Sequence, residues 1–291
     1  HIVATAFLGI ELQCARCHDS PYHSTKQRDL FSLAALFERK AVTVPKSSTV
    51  PEAFFEKKAR ESLIKVTLKP RESIAPAWPF ASITGVADDP ALDALMMNPQ
   101  DSRERFAALV TAPANTRFAQ VIVNRVWKRL IGAGFVEPAH DWEGHAPSHP
   151  ELLDWLAVDL VEHGWDLKRM LKLIVMSATY RQDSAVTPAL LAKDPENKFL
   201  ARGARFRLPS WMIRDSALRT AGLFNPALGG PPVRPYQPDG VWEELFMGRF
   251  KYQPSEGAAQ YRRTLYAFWR RSIAPTFLLS LIHISEPTRQ A

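Results

Sequence analysis

The chain has 291 residues, 46% apolar and 23% charged, with a formal net charge of +7. That composition suits one or two globular domains with a real core and excludes a disordered or low-complexity chain. No apolar run reaches the ~18 residues that a membrane-spanning helix needs, so no span is expected.

The first residue is His1, inside the apolar run HIVATAFLGIELQC. A chain that begins within an element is expected to have lost preceding sequence, any signal peptide included. Residues 1–40 read as helical. Ile2, Phe7, Leu8 and Ile10 lead into the only two cysteines, and DLFSLAALFERK sets Leu30, Leu33, Leu36 and Phe37 on one face. The stretch that follows is rich in Pro, Ser and charge, with two β-like runs, AVTV and IKVTL. It reads as a connector over residues 46–100 rather than a domain.

A helical block opens near Asp101 with RERFAALVTA. NTRFAQVIVNRVWKRLIGAG is expected to form a helix capped by Asn115 or Thr116, with an apolar stripe of Phe118, Val121, Ile122, Val126 and Leu130 ending at Gly132 or Gly134. Next, Ser148 and Glu151 have the spacing of a capping box around Pro150. Leu152, Leu153, Leu156, Leu160 and Val161 line one face up to Gly164. A second helix starts at Asp166 and presents Leu167, Met170, Leu171, Ile174 and Val175. Two such helices joined at a glycine predict an antiparallel hairpin. Beyond Arg202, RLPSWMIRDSALRTAGLF predicts another helix, NPALGGPPVRPYQPDG reads as turns, and the aromatic-rich YRRTLYAFWRRS as strand.

The last thirteen residues, LSLIHISEPTRQA, stand apart. LSLIHISEPTR is what one reading frame of a transposon sequencing-library adapter encodes. Residues 279–291 are therefore read as an assembly artefact, His283 carries no functional weight, and the natural sequence is expected to continue past Leu278.

Charge is distributed unevenly. Lys and Arg balance Asp and Glu over residues 1–200, whereas residues 201–271 hold twelve bases against five acids, and eleven of the twelve are Arg. Arginine pairs in fork geometry with carboxylates, phosphates and sulfates and stacks on aromatic rings. The surplus reads either as a surface for an anionic partner or as internal arginine pairing. No nucleic-acid motif accompanies it, so DNA or RNA is not an expected partner.

The chemistry concentrates in QCARCHDSPYH, residues 13–23. C-x-x-C-H over Cys14, Cys17 and His18 is the attachment signature of haem c: two thiols form thioethers to the vinyl groups and the imidazole ligates iron. Three alternatives stay open. The thiols form a redox dithiol (though no thioredoxin-like βαβ pattern surrounds them), a structural disulfide, or part of a zinc site completed by His18 or His23 and another residue. His140, His145, His149, Met96 and Met97 are candidate sixth ligands of a haem iron, and five-coordinate iron is the other expectation. HDWEGHAPSHP brings His140, Asp141, Glu143, His145 and His149 together, a set able to bind metal or catalyse hydrolysis, or simply a polar loop leading into a helix. The glycines near Gly229 lack the Lys-Ser/Thr ending of a phosphate loop, and no G-x-S-x-G element marks a serine nucleophile.

FLGIELQCARCHD together with DLFSLAALFER resembles the C-terminal end of the planctomycete cytochrome-C-like domain DUF1549. NTRFAQVIVNRVWKRLIGAGFVEP, PSHPELLDWLAVDLVEHGWDLKRMLKLIVMSATYRQDS, GGPPVRPYQPDGVWEEL and YRRTLYAFWRR resemble the DUF1553 (PSD1) domain that follows it. The resemblance implies an extracytoplasmic protein of planctomycete-type bacteria, periplasmic or at the cell surface. Haem ligation, inferred in that family from the motif, carries over onto Cys14, Cys17 and His18. Family members commonly show CHDHPF, so Ser20 stands where a second histidine is usual.

The resulting expectation is a mainly α protein: a helical bundle-like domain with Pro/Gly-rich loops and a few short strands, preceded by the helical end of a c-type-haem-like domain. Its segments are residues 1–45, the connector 46–100, the PSD1-like domain 101–278, and the tail. The expected cofactor is haem c and the expected partner a redox protein. The alternative is a scaffold engaging an anionic glycan or protein through the Arg-rich part. No reaction is assigned.

Overall fold

The computed structural model describes residues 1–45, 65–240, 242–243, 248–249, 251–270, 274–276 and 278. The adapter-like tail lies outside them. No helix among the described residues is long and apolar enough to cross a membrane. The molecule is mainly helical, as its periodicity predicts, and folds as two compact units, His1–Arg205 and Phe206–Ala291.

In the first unit, α1 (Ile2–Leu8) ends at Gly9, which adopts a left-handed conformation at φ 63°. A short 3-10 turn, Cys14–Arg16, follows, and then α2 (Gln27–Glu38). β1 (Val42–Thr43) pairs antiparallel with β2 (Ser73–Ile74), Val42 opposite Ile74. The AVTV run thus supplies a strand, but its partner is not IKVTL. The buried Gln27 side chain accepts from the Thr67 and Leu68 amides (3.0 and 3.3 Å), which removes them from any ladder. Residues 78–92 enter the first core. Trp78, Phe80 and Leu92, with Ala81–Thr84 as a single helical turn (α3), pack among Leu8, Leu12, Leu33, Leu36 and Leu109.

α4 (Ser102–Thr111) leads into α5 (Thr116–Ile131), whose Asn115 cap accepts from the Phe118 amide and whose end is Gly132. The buried positions of α5 are Ala119, Val121, Val123, Asn124, Trp127 and Ile131. The expected stripe is therefore rotated, and Ile122, Val126 and Leu130 lie at its margin. The helix is covered on more than one side, and a helix so placed buries more than one stripe. Phe118, for example, meets Phe7 and Trp165 at 5.7 and 5.2 Å between ring centres.

α6 (Pro150–Glu162) and α7 (Leu167–Met176) form the expected hairpin, with Leu153, Leu156, Leu160, Met170 and Ile174 inside. Leu167, Leu171 and Val161, assigned to that face by periodicity, are exposed. Ser148 does not cap α6, because His149 occupies the cap position. The Ser148 amide is drawn to Phe135 O at 2.8 Å and its hydroxyl meets His149 Nδ1 at 3.0 Å. Asp159 of α6 and Arg169 of α7 close the hairpin with an ion pair, and that hydrogen bond holds the Asp159 carboxyl below the usual carboxylate range. α8 (Pro188–Lys193) completes the unit.

The second unit contains α9 (Ser210–Thr220) and the predicted turns. YRRTLYAFWRRS is not a strand where it is described. It follows the 3-10 turn Gly257–Tyr261, forms the 3-10 turn Thr264–Tyr266, and makes isolated bridges from Arg262 to Asn225 and from Ala267 to Val233. Side chains satisfy this backbone: Arg214 donates to Gln260 O and Arg262 O (2.8 and 3.0 Å), and Asp215 accepts from the Thr264 amide at 2.8 Å. A backbone provided for in this way has no need of a neighbouring strand.

Candidate functional site

A 3-10 turn eclipses residues three apart, so Cys14 and Cys17 occupy the same side of one turn, with His18 next in line. Both thiols are free; Cys14 is half-buried and Cys17 exposed. His18 is half-buried and its Nδ1–H donates to the Asp19 carbonyl at 2.7 Å. With that proton engaged, Nε2 carries the lone pair open to a ligand.

Asp19 is itself anchored. Its amide donates to Lys65 O at 2.7 Å, and Oδ1 accepts from the Gln27 amide at 2.9 Å and from Thr67 Oγ1 at 2.8 Å. The imidazole is therefore referenced through one carbonyl to α2 and to residues 65–67. Asp19 was legible only as the residue after C-x-x-C-H; its supporting role depends on Gln27, eight residues on, and on Lys65 and Thr67, more than forty residues away.

The histidine-rich loop lies against the segment that follows the motif. His23 Nε2–H donates to Asp141 Oδ2 at 2.8 Å and the Ser24 amide donates to Glu143 Oε1 at 2.6 Å. Ser20 Oγ meets His23 Nδ1 at 2.8 Å and accepts from the His23 amide at 3.1 Å. Ser20, His23 and Asp141 thus form a hydrogen-bonded chain in which the Ser20 oxygen caps a turn.

Asp141→Ala strands the His23 Nε2–H in a site only 14% exposed. Loss of about 1–2 kcal/mol is expected, read as a lower urea midpoint and faster amide exchange over residues 20–25. An unchanged midpoint and exchange pattern would show that the tie is idle.

A second tie lies beside it. Trp142 N–H donates to Gly9 O at 3.0 Å, and the Trp142 indole packs against Gly9. Arg117 lies 4.2 Å above the indole and donates to Leu8 O at 3.0 Å, while Arg125 donates to Thr5 O at 2.8 Å. Two α5 guanidiniums thus serve the last carbonyls of α1, the end of a helix that favours cations. Burial lowers the Arg117 pKa to about 10, so it stays charged at neutral pH.

The remaining candidates are dispersed. His140 and His145 are exposed on the tied loop, His149 packs edgewise on Phe135, Met96 packs against the first core, and Met97 projects into solvent. Among the described residues no three of His, Cys, Asp and Glu are grouped as a metal cage requires. In the Arg-rich part, several guanidiniums are internal. Arg202 donates to Asp194 O and Pro195 O, Arg214 to the carbonyls given above, and Arg262 to Pro231 O, Ala227 O and Gly229 O.

Two family models match the chain. The model of PSD1, a protein of unknown function (DUF1553), covers residues 102–289, and that of PSCyt2, a protein of unknown function (DUF1549), covers residues 1–41. No curated protein and no solved structure matches it.

Proposed function

We propose, from the premise that this chain belongs to the PSD1 (DUF1553) family and opens with the end of a PSCyt2 (DUF1549) domain, that Cys14, Cys17 and His18 attach haem c and that the protein transfers electrons outside the cytoplasm. The observation that carries this reading is the His18 Nδ1–H bond to the Asp19 carbonyl, which leaves Nε2 as the ligating nitrogen next to two unbonded thiols.

The donor set fits the group. Thioether formation needs reduced, reachable sulfurs, and an axial imidazole needs its other nitrogen fixed. A zinc cage would need these groups and a fourth ligand to converge on one point, which the described residues do not do. Bound there, haem would supply a reversible one-electron couple. The protein's own part is to hold His18 through Asp19, Gln27 and Thr67 and to keep Cys17 at the surface, where a redox partner has access. The scaffold alternative has less to rest on, because Arg202, Arg214 and Arg262 are spent on backbone carbonyls.

The test is export of the chain through a c-type cytochrome maturation system. Wild type is expected to keep a haem stain on a denaturing gel and to show a reduced α-band, and Cys14→Ala/Cys17→Ala to lose both. A wild-type protein without covalent stain would end the reading.

A further inference from the structure

The Phe206–Ala291 unit holds a cleft of about 270 Å³ lined by Pro232, Arg234, Gln253, Pro254, Ser255 and Phe268. Arg234 differs from its neighbours in how its charge is used. Arg262 and Arg214 brace backbone carbonyls, and Arg219 and Arg263 both lie over Phe224. Arg234 stands over the Phe268 ring, 5.1 Å from its centre, and forms no ion pair among the described residues. Its backbone is held on both sides: its amide donates to Ser255 Oγ at 2.9 Å and its carbonyl accepts from the Ser255 amide at 2.8 Å.

We propose that this cleft binds one acidic sugar unit, a pyranose ring carrying a carboxylate. Its volume lies just below the usual range for small-molecule sites, about 300–1,000 Å³, which suits a single ring better than a nucleotide. Pro232 and Pro254 offer apolar walls to the C–H face of a sugar, beside the Phe268 ring that Arg234 covers. A guanidinium stacked on an aromatic ring is pre-organised, and its planar fork pairs with a carboxylate through two parallel hydrogen bonds. Ser255 Oγ accepts from the Arg234 amide and keeps its own proton to donate to a sugar hydroxyl. Gln253 is exposed at the mouth and offers both a donor and an acceptor. The proposal does not rest on haem attachment.

The experiment is ligand-observed NMR titration of the full chain with methyl glucuronoside, methyl glucoside and acetate. Wild type is expected to bind the glucuronoside at millimolar affinity and at least about tenfold more tightly than either control, the difference a charge-assisted fork contributes. Arg234→Gln should lose about tenfold, and Arg234→Lys, which keeps charge but not the fork, should recover only part of it. Near-UV circular dichroism checks that each variant is folded. Glucuronoside and glucoside binding equally would overturn the proposal, as would acetate matching the glucuronoside, which marks a bare anion site. No detectable binding to wild type, or a folded Arg234→Gln that binds like wild type, would also overturn it.

Discussion

Gly9→Val is expected to destabilise the His1–Arg205 unit by about 2–5 kcal/mol, the sum of two separable costs. Gly9 has φ 63°, and a side chain in that left-handed conformation costs roughly 1–2 kcal/mol. A Cβ there would also lie 2.5 Å from Trp142 Cδ1 and 2.9 Å from Cγ. The indole cannot move away freely, because its amide is bonded to Gly9 O and Arg117 covers the ring. Overpacking of this kind adds about 1–3 kcal/mol. Gly85→Val is the control: φ is 73° and nothing lies within 4 Å of its Cβ, so only the conformational cost should appear. Urea midpoints of the two variants measure the difference. Equal losses at Gly9 and Gly85 would mean that Trp142 does not clamp the end of α1, and with it the approach to the cysteine turn.

Trp242→Ala is expected to cost the Phe206–Ala291 unit about 3–5 kcal/mol, the range for a large buried aromatic. Trp242 is 1% exposed, with ring centres 5.0 Å from Tyr252 and 5.8 Å from Phe268. Its Nε1–H donates to Gln237 Oε1 at 2.9 Å, and Gln237 is itself buried and accepts from Thr276. Truncation therefore removes packing from two aromatic side chains, Tyr252 and Phe268, and one donor from an internal amide. Hydrogen exchange read peptide by peptide should show protection lost across residues 206–270 and retained in α5 and α6. Trp242→Phe keeps most of the packing and should cost about 1–2 kcal/mol, the price of the lost hydrogen bond. A Trp242→Ala midpoint within about 1 kcal/mol of wild type would show that the unit is organised elsewhere.

The tie at Gly9 and Trp142 also illustrates where inference from the chain stops. The caps at Asn115 and Asp166 and the helices they begin were readable, since each depends on neighbours within a turn or two, whereas the helical reading of residues 1–40 fails between Gly9 and Lys26, where only the Cys14–Arg16 turn is helical. The face of α5 was not: Ala119, Val123 and Trp127 face inward because other helices cover them, and periodicity alone could not choose between two apolar stripes. YRRTLYAFWRRS has the composition of a strand, yet Arg214 and Asp215 claim its backbone groups from almost fifty residues away. At the site, Cys14, Cys17 and His18 announce themselves by spacing. Asp141 looked like part of a polar loop, and its bond to His23 spans 118 residues.

Local order and the list of reactive groups therefore belong to the sequence itself. The positions of most helices, the cysteine–cysteine–histidine spacing and the arginine surplus follow from short-range propensity and composition, which need no fold to be read. Which segments hold Asp19 beneath His18, which arginines are spent on carbonyls and which one faces a cleft were decided only by tertiary contacts. A hydrogen bond needs its partner within about 3 Å, and only the folded chain brings residues tens of positions apart to that distance.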